Sequence, residues 1–325
     1  MKSRKTLGFF LLLFCSFIWG STFVAQEKTA VQPFTYLAMR SVVAIIFLLP
    51  VVIGWDVVAG RKDRVKYREK CKKENKTLMI GGLLCGFFLF VASAAQQIGM
   101  YMGTTAGKAG FITATYLLIV PILGLFIGKK VRGLHWICIV LALVGLFLLC
   151  MTGGIAEFSL SALFSSYTLK SMTVSTADIF VIASAFLFSF QILAVDKYSA
   201  KVDCLKLSFM EFSVVAVLSF AFMFLFEKPT IEGILDSWVS IVYAGVLSSG
   251  VAYTLQIFGQ KYTNPNIAAM LMSLESPFAL VSSIIFALVI TGENVLPTGY
   301  EAVGCLLMFS AIVVSQLPEK KKKAA

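Results

Sequence analysis

The sequence predicts an all-α integral membrane protein whose ten transmembrane helices form two inverted five-helix repeats. Three observations predict this class. Apolar residues make up 58% of the 325 residues and charged residues only 14%, against about 25% charged in soluble domains. The apolar residues are concentrated in ten runs, and Lys and Arg are concentrated in alternate connections between those runs.

The ten apolar runs are the predicted transmembrane helices. A run of about 20 residues spans a bilayer as a helix, because lipid offers the backbone no other hydrogen-bond partners. The first run follows basic residues as a signal peptide does, but its length and the lack of a small-residue cleavage site favour a retained helix. In chain order the runs are 7–26, 34–54, 77–98, 106–128, 134–152, 176–196, 206–226, 237–258, 266–291 and 299–317.

The distribution of Lys and Arg predicts the orientation. With the N-terminus inside, the cytoplasmic connections and helix ends carry 23 of the 28 Lys and Arg, the external side carries 4, and Arg40 lies within a helix. Cytoplasmic loops of membrane proteins are enriched in these residues, so both termini are predicted to be cytoplasmic in a cell (cytoplasmic) membrane. The basic stretch at 55–76 is interpreted as a solvated loop beside anionic lipid headgroups. Because the loops account for the net charge of +11, no nucleic-acid partner is expected.

A Ser- and Thr-rich external connection at 153–175 divides the chain into two repeats, 7–152 and 176–317. Each repeat has five helices, and an odd number of crossings inverts the second repeat relative to the first. Weak internal likeness supports a duplication. Pro121 and Pro277 lie inside the fourth and ninth helices, and each of the third and eighth helices ends on a Gln-Ile-containing segment that closes with Gly.

Three ionisable side chains fall inside the predicted helices, where charges are costly and often functional. Glu275 lies near the midplane. It is either a proton-coupling or substrate-contacting carboxylate, or a structural partner of Arg40 or of a backbone group freed near Pro277. Arg40 either binds a substrate carboxylate or extends outward to the interface. Glu211 lies near Lys206 and the inner surface, so a surface-directed role is favoured for it.

The candidate substrate site combines charged, polar and aromatic residues near the two helix prolines. A proline inside a helix frees a backbone carbonyl, and interrupted helices in matching halves mark the binding site of many transporters. Ser93, Gln256, Trp19, Ser21 and Gln191 are further polar or aromatic candidates. The predicted substrate-binding or coupling residues are Arg40, Gln97, Thr113, Tyr116, Tyr253 and Glu275, with helix kinks at Pro121 and Pro277.

The sequence shows no motif for a metal site, a disulfide framework or a nucleotide-binding loop. The seven Cys are scattered without a CxxC pair, and there is a single His. No disulfide framework, metal site or cofactor is therefore predicted. A phosphate-binding Gly-x-x-x-x-Gly-Lys-Ser/Thr element is also lacking, so a built-in ATPase is not expected.

The first helix contains Trp19-Gly-Ser-Thr within the segment 13–23, and Arg40 follows in the second helix. These features resemble the drug/metabolite transporter superfamily in its EamA-type branch, whose first-helix signature is similar to 13–23 and which usually has Arg at the position of Arg40. The segments 105–116 and 273–276 resemble the fourth and ninth helices, and Gly292-Glu293 resembles the pair that closes the ninth. This chain departs from many members in having Ser276 between Glu275 and Pro277.

The resemblance implies ten helices in two inverted repeats around a central cavity. It also implies transport, often outward, of amino acids and other small metabolites without ATP hydrolysis. The function expected is therefore secondary transport by alternating access, with a small-molecule substrate and membrane lipid as partners and a homodimer left open.

Two other function classes are weighed against the transporter. An intramembrane enzyme needs positioned nucleophiles, acids or metal ligands, and the scarcity of His and of buried Asp disfavours it. A membrane receptor or scaffold is expected to have larger recognition loops than the longest ones here, which are about 22 residues.

Overall fold

A computed structural model of the chain describes residues 2–26, 29, 31–61, 63–151, 173–292 and 296–316. The predicted linker lies outside these residues over 153–172, as do Glu293 and the basic run at 320–323. Within the described ranges all regular structure is helical. Nine helical stretches of this part of the chain are long and apolar enough to cross a membrane, and Gly299–Ser315 is a shorter apolar helix.

The first repeat contains five apolar spans, one of which is broken. The fourth span consists of two helices that meet at Thr115. The helices are α1 (Lys2–Gln26), α2 (Pro33–Gly60), α3 (Arg64–Tyr101), α4 (Ala106–Ala114), α5 (Tyr116–Phe126) and α6 (Gly133–Met151).

The second repeat has the same number of spans, but two of them contain π-helical turns. The eighth span runs through the π-helical segment Ala244–Ala252, and the ninth ends in the π-helical segment Ala287–Thr291. The helices are α7 (Thr176–Ser199), α8 (Cys204–Phe226), α9 (Ile231–Asp236), α10 (Trp238–Tyr243), α11 (Tyr253–Tyr262), α12 (Pro265–Met272), α13 (Glu275–Phe286) and α14 (Gly299–Ser315).

The basic stretch at 55–76 is mostly helical, which corrects its interpretation as a loop. α2 continues to Gly60 and α3 begins at Arg64, where Asp63 caps it by accepting from the backbone N–H of Lys66. With 38 residues, α3 is about 57 Å long at 1.5 Å per residue, and a bilayer core is only about 30 Å thick. Its charged first turns therefore project beyond the apolar region as helix.

The packing pattern relates the two repeats by an approximate two-fold exchange. α1 packs against α11 and α13, and α7 packs in the corresponding way against α3 and the α4–α5 pair. Two further large contacts join equivalent helices of the two repeats, α2 to α8 and α6 to α14. α8 also packs on α3, and α2 packs in the corresponding way on the π-helical segment of the eighth span. Most of the helix packing is therefore between the repeats, as the two-repeat fold predicts.

The crossing of α6 and α14 shows the two-fold relation at the level of single residues. A Cβ atom on Gly145 would lie 2.7 Å from the carbonyl oxygen of Gly304, and one on Gly304 would lie 2.6 Å from that of Gly145. Both positions must be Gly for the backbones to approach this closely. The two glycines are thus reciprocal contacts across the repeat axis.

The outer surface of the bundle is apolar. Phe126 at the end of α5 is 85% exposed, and Phe224 and Leu225 near the end of α8 are more than 70% exposed. A soluble protein rarely exposes apolar surface on this scale, whereas lipid covers it without cost. The described helices therefore belong to a multi-pass membrane protein.

Candidate functional site

Arg40 lies at the wall of an internal cavity and is oriented by two serines. The side chain is 8% exposed, and its Nε donates to Ser249 Oγ at 2.9 Å while Nη2 donates to Ser248 Oγ at 3.0 Å. Both serines belong to the π-helical segment of the eighth span, a rare geometry that often occurs at functional sites. A guanidinium has five N–H donors, so these bonds leave others for a ligand.

Glu275 begins α13 and reaches the same cavity from the ninth span. It is 6% exposed, and among the described residues no hydrogen bond or ion pair to its carboxylate is found. In particular, Arg40 bonds to serines and not to Glu275. The two charges therefore do not form an ion pair in this structure.

The backbone break before Glu275 has a local cause. α12 ends at Met272 and α13 begins at Glu275. Pro277 has no N–H to give to the carbonyl of Ser273, four residues earlier, and Ser273 Oγ donates back to the carbonyl of Met270 at 2.8 Å. The proline and the serine together interrupt the ninth span at the cavity.

The fourth span breaks in a similar way, but at a different place from the predicted kink. Thr115 lies between α4 and α5, and its Oγ1 donates to the carbonyl of Ile112 at 2.6 Å. Pro121 lies further along, inside the continuous helix α5. The interruption is therefore at Thr115, and neither Pro121 nor Pro277 lines the cavity.

All six residues that the sequence predicts for the substrate site line one cavity of about 60 Å³. A single water needs only about 10–15 Å³ of such space, so the cavity is large enough for several waters or a small solute. The lining side chains come from both repeats. Those predicted are Arg40, Gln97, Thr113, Tyr116, Tyr253 and Glu275.

The cavity is also lined by residues outside the six predicted ones. Ser248 accepts a hydrogen bond from Arg40, and Gln96 Nε2 donates to Thr113 Oγ1 at 2.9 Å. Sequence position alone does not show that these two side chains face the cavity, because that depends on how the neighbouring helices pack. The additional lining residues are Trp19, Thr22, Leu37, Ser93, Gln96, Phe188, Gln191, Ile192, Ser248, Gln256 and Met272.

Three polar atoms of the cavity-lining residues have no protein partner in the described part of the chain. They are Trp19 Nε1, the Tyr116 hydroxyl and Gln256 Oε1. The Trp19 ring packs edge-on against Tyr253, with the ring centroids 4.8 Å apart. Buried polar groups nearly always find a hydrogen-bond partner, so a molecule in the cavity can satisfy these three atoms.

Glu211 is buried in the bundle interior, which corrects the surface-directed role expected for it. It is 0% exposed, and its Oε1 accepts from Gln191 Nε2 at 2.8 Å. Gln191 Oε1 in turn accepts from Gln256 Nε2 at 3.1 Å. Lys206, the neighbour expected to hold Glu211 at the surface, pairs instead with Asp56 at 2.9 Å.

Two ion pairs join the fourth span to the sixth, one at each end. Lys108 near the start of α4 pairs with Asp178 at 2.6 Å, and Thr104 also donates to this carboxylate. Lys129, after α5, pairs with Asp196 near the end of α7. Thr113 and Tyr116 lie between the two pairs, so the fourth span is fastened to α7 on both sides of the cavity.

The described residues contain no group of three or more His, Cys, Asp or Glu side chains arranged to hold a metal ion. What the site offers is a cation, a carboxyl and a ring of hydroxyl, amide and aromatic groups. These groups can bind a polar solute of low molecular weight.

Comparisons with known proteins agree with this architecture. An uncharacterised transporter of Archaeoglobus fulgidus is 26% identical over 309 residues, which cover 94% of this chain and 84% of that protein. A solved crystal structure shares the fold with a TM-score of 0.65 at 19% identity, over 97% of both chains. The model of the EamA-like transporter family matches residues 6–151 and again residues 154–316. The chain therefore belongs to the EamA-like transporter family.

Proposed function

We propose that this transporter is a secondary carrier of small zwitterionic metabolites, such as amino acids, and that it works by alternating access. The observation that carries the proposal is the cavity that presents Arg40 and Glu275 without pairing them. An amino acid carries a carboxylate and an ammonium group, which are complementary to these two side chains.

The energetics favour a ligand of this kind. A buried charge without a counter-charge is costly, and the cost falls when an opposite charge and hydrogen bonds are supplied. The carboxylate of the substrate would bind the free N–H groups of Arg40, because a guanidinium matches a carboxylate in a two-pronged geometry. Glu275 would accept from the ammonium group or carry the proton that drives transport.

The two ion pairs between the fourth and sixth spans suit an occluded state of the transport cycle. Each pair lies toward one end of the cavity. Breaking one pair at a time would open the cavity to one side and keep it closed to the other. Lys129 and Asp196 are partly exposed, so their pair is weak and can be exchanged at low cost during a cycle. Asp178 is buried, so the pair that it forms with Lys108 costs more to break.

Orientation and direction are parts of the same proposal. The excess of Lys and Arg on alternate connections supports a cytoplasmic location for both termini, and the family resemblance favours export over import. Anionic lipid headgroups would lie beside the charged turns of α3.

Transport by the purified protein in proteoliposomes tests the proposal. We expect uptake or exchange of some members of a panel of radiolabelled amino acids and other small metabolites, under an imposed pH gradient or membrane potential. Arg40→Ala should reduce the apparent affinity for carboxylate substrates, and Glu275→Gln should abolish the pH dependence of flux. Glu232→Gln, which changes an exposed carboxyl on α9, is the matched control.

Several results would count against the proposal. Flux of no compound in the panel would remove the substrate class, and an unaltered pH dependence in Glu275→Gln would remove Glu275 from coupling. Chemical conversion of a substrate without its movement would favour the intramembrane enzyme. Saturable binding with no flux would favour a receptor.

A further inference from the structure

We propose that Glu211 is a second proton-binding carboxyl of the transport cycle, connected to the substrate cavity through Gln191. The inference rests on the proposed function, since it assigns a coupling role within the same carrier. Four features of the structure support it: the burial of Glu211, its link to the cavity, its position in the repeat and its lack of a cation.

The link to the cavity is a chain of three side chains. Gln256 and Gln191 both line the cavity. Gln256 donates to Gln191, and Gln191 donates to Glu211 at 2.8 Å. A change in the charge of Glu211 therefore acts directly on the orientation of two amides that face the substrate.

The second oxygen of the carboxyl, Glu211 Oε2, is buried with no hydrogen-bond partner in the described residues. Gln256 Oε1 is likewise a buried acceptor without a donor. A buried acceptor without a donor is unusual, because native structures pair almost all such groups. A proton on Glu211 would remove its buried negative charge and turn its Oε2 from an acceptor without a donor into a hydrogen-bond donor.

Glu211 occupies the position in the second repeat that Arg40 occupies in the first. A Cβ atom on Gly245 would lie 2.5 Å from Val43 and 2.9 Å from the carbonyl oxygen of Arg40. A Cβ atom on Gly86 would lie 2.6 Å from Val214 and 2.7 Å from the carbonyl oxygen of Glu211. The two contacts repeat the same spacing of three residues, so the repeat axis relates Arg40, which lines the cavity, to Glu211.

The charged and titratable neighbours of Glu211 come from each helix that packs on α8. α3 contributes the buried thiol of Cys85, and α11 contributes the Tyr253 hydroxyl, both within electrostatic range. The interior charge of α2 is Arg40, which is held by Ser248 and Ser249. No Lys or Arg forms an ion pair with Glu211 among the described residues.

The proposed step at Glu211 is the reversible binding of one proton. Protonation breaks one O–H bond of a hydronium ion that reaches the cavity and forms one O–H bond on Glu211, and release returns that proton to water. Gln191 donates to the carboxylate more strongly than to the acid, because hydrogen bonds to ionised groups are stronger. Proton binding at Glu211 thus weakens the hydrogen bond from Gln191 and frees Gln191 and Gln256 to reorient at the substrate. Proton binding and substrate binding are coupled in this way.

Infrared difference spectroscopy of the purified full-length protein tests proton binding without any substrate. A protonated carboxyl gives a C=O band that disappears when the proton leaves. We expect pH-dependent bands from two buried carboxyls, of which Glu211→Gln removes one and Glu275→Gln the other. Gln191→Leu should shift the Glu211 band, because it removes the hydrogen bond. The exposed Glu232→Gln should leave both buried-carboxyl bands unchanged.

The proposal fails if the spectrum of Glu211→Gln keeps every pH-dependent carboxyl band of the wild type. If that variant does not fold, Glu211→Asp serves instead, and the band should move without disappearing. An unmoved band in that variant overturns the proposal equally.

Flux measurements then separate this inference from the proposed function. In proteoliposomes the number of protons moved per substrate should fall by one in Glu211→Gln, and the pH dependence of exchange should lose one of two steps. An unaltered stoichiometry overturns the role of Glu211 alone. Absence of transport in the wild type overturns the proposed function, and it leaves the infrared result on proton binding to stand by itself.

Discussion

Arg40 is oriented by neutral hydroxyl groups, and this choice of partner keeps its charge available. An acidic partner would orient the guanidinium equally well but would also neutralise it. The hydrogen bonds that Arg40 donates to Ser248 and Ser249 fix the direction of the side chain and leave a full positive charge at the cavity. A site that binds a carboxylate needs this combination of fixed geometry and uncompensated charge.

Ser249→Ala should therefore weaken substrate binding while it leaves the charge in place. Removing one hydrogen bond to a charged group costs about 1.5 kcal/mol, which corresponds to a KM increase of roughly 10-fold. The maximal rate should change much less, since Arg40 itself is retained. Concentration-dependent uptake in proteoliposomes measures both quantities.

The matched control for that variant is Ser283→Ala on α13. Ser283 is exposed, and its hydroxyl donates only to the carbonyl of Leu280. Equal KM values for Ser249→Ala and the wild type would show that the serine does not position Arg40 for substrate.

At the scale of helices, the cavity exists because spans from both repeats are broken next to it. The fourth span breaks at Thr115 and the ninth after Met272, and at each break a hydroxyl donates to a carbonyl three residues earlier. Such local bonds compete with the helix ladder and bend the chain. The broken ends place Thr113, Tyr116 and Glu275 at the cavity wall.

The contact between α6 and α14 should tolerate no side chain at its centre. In Gly145→Ala the new methyl group would lie 2.7 Å from the carbonyl oxygen of Gly304, so the two helices must separate. We expect a loss of stability of about 1–3 kcal/mol. Thermal unfolding of the purified protein in detergent measures it.

Gly54→Ala on α2 is the control for that substitution. No atom lies within 4 Å of the position of its Cβ, and Ala is a better helix former than Gly by roughly 1 kcal/mol. This variant should be as stable as the wild type or more stable. Equal stability losses in both variants would contradict the role of the Gly145 contact.

The two ion pairs of the fourth span should act on opposite faces of the cavity. Asp196→Asn breaks the pair with Lys129, and Lys108→Met breaks the pair with Asp178. We expect the first variant to favour opening toward the cytoplasm and the second to favour opening toward the exterior. A Thr113→Cys reporter, in a background without the seven native Cys, measures this through its rate of reaction with a maleimide added from either side.

The two variants change opposite ends of the same span, so their opposite effects serve as controls for each other. If the two changes speed the reaction from the same side, or neither changes it, the ion pairs do not act as gates.

At the scale of the whole molecule, the sequence was sufficient for the spans and the repeat, because both depend on length and polarity. An apolar run of about 20 residues must form a helix in lipid, because only a helix satisfies all of its backbone hydrogen bonds within the segment. The polar cavity residues followed from the same argument, since polar groups inside a membrane must face the bundle interior.

Other features depended on neighbours that only the fold supplies. Glu211 lies few residues from the end of its helix, so its sequence position suggested the surface, but α3 and α11 cover it. The break at Thr115 and the π-helical turns likewise depend on local hydrogen bonds, for which the apolar pattern carries no signal. The bonds of Arg40 to serines rather than to Glu275 required the placement of the eighth span.

The distribution of contacts predicts how the molecule behaves when the chain is cut between its repeats. The large helix contacts join α1 to α11 and α13, α2 to α8, α3 to α7 and α6 to α14, and each of these crosses from one repeat to the other. The repeats therefore share one interior and are held together without the linker. A protease site inserted within 153–172 should allow cleavage into two fragments that stay associated.

The two fragments should co-purify in mild detergent and keep most of the transport activity. Each half expressed alone should aggregate, because its inter-repeat surfaces are exposed. Separation of the fragments after cleavage, or a stable half, would show that each repeat holds its own core and would contradict the shared interior on which the cavity depends.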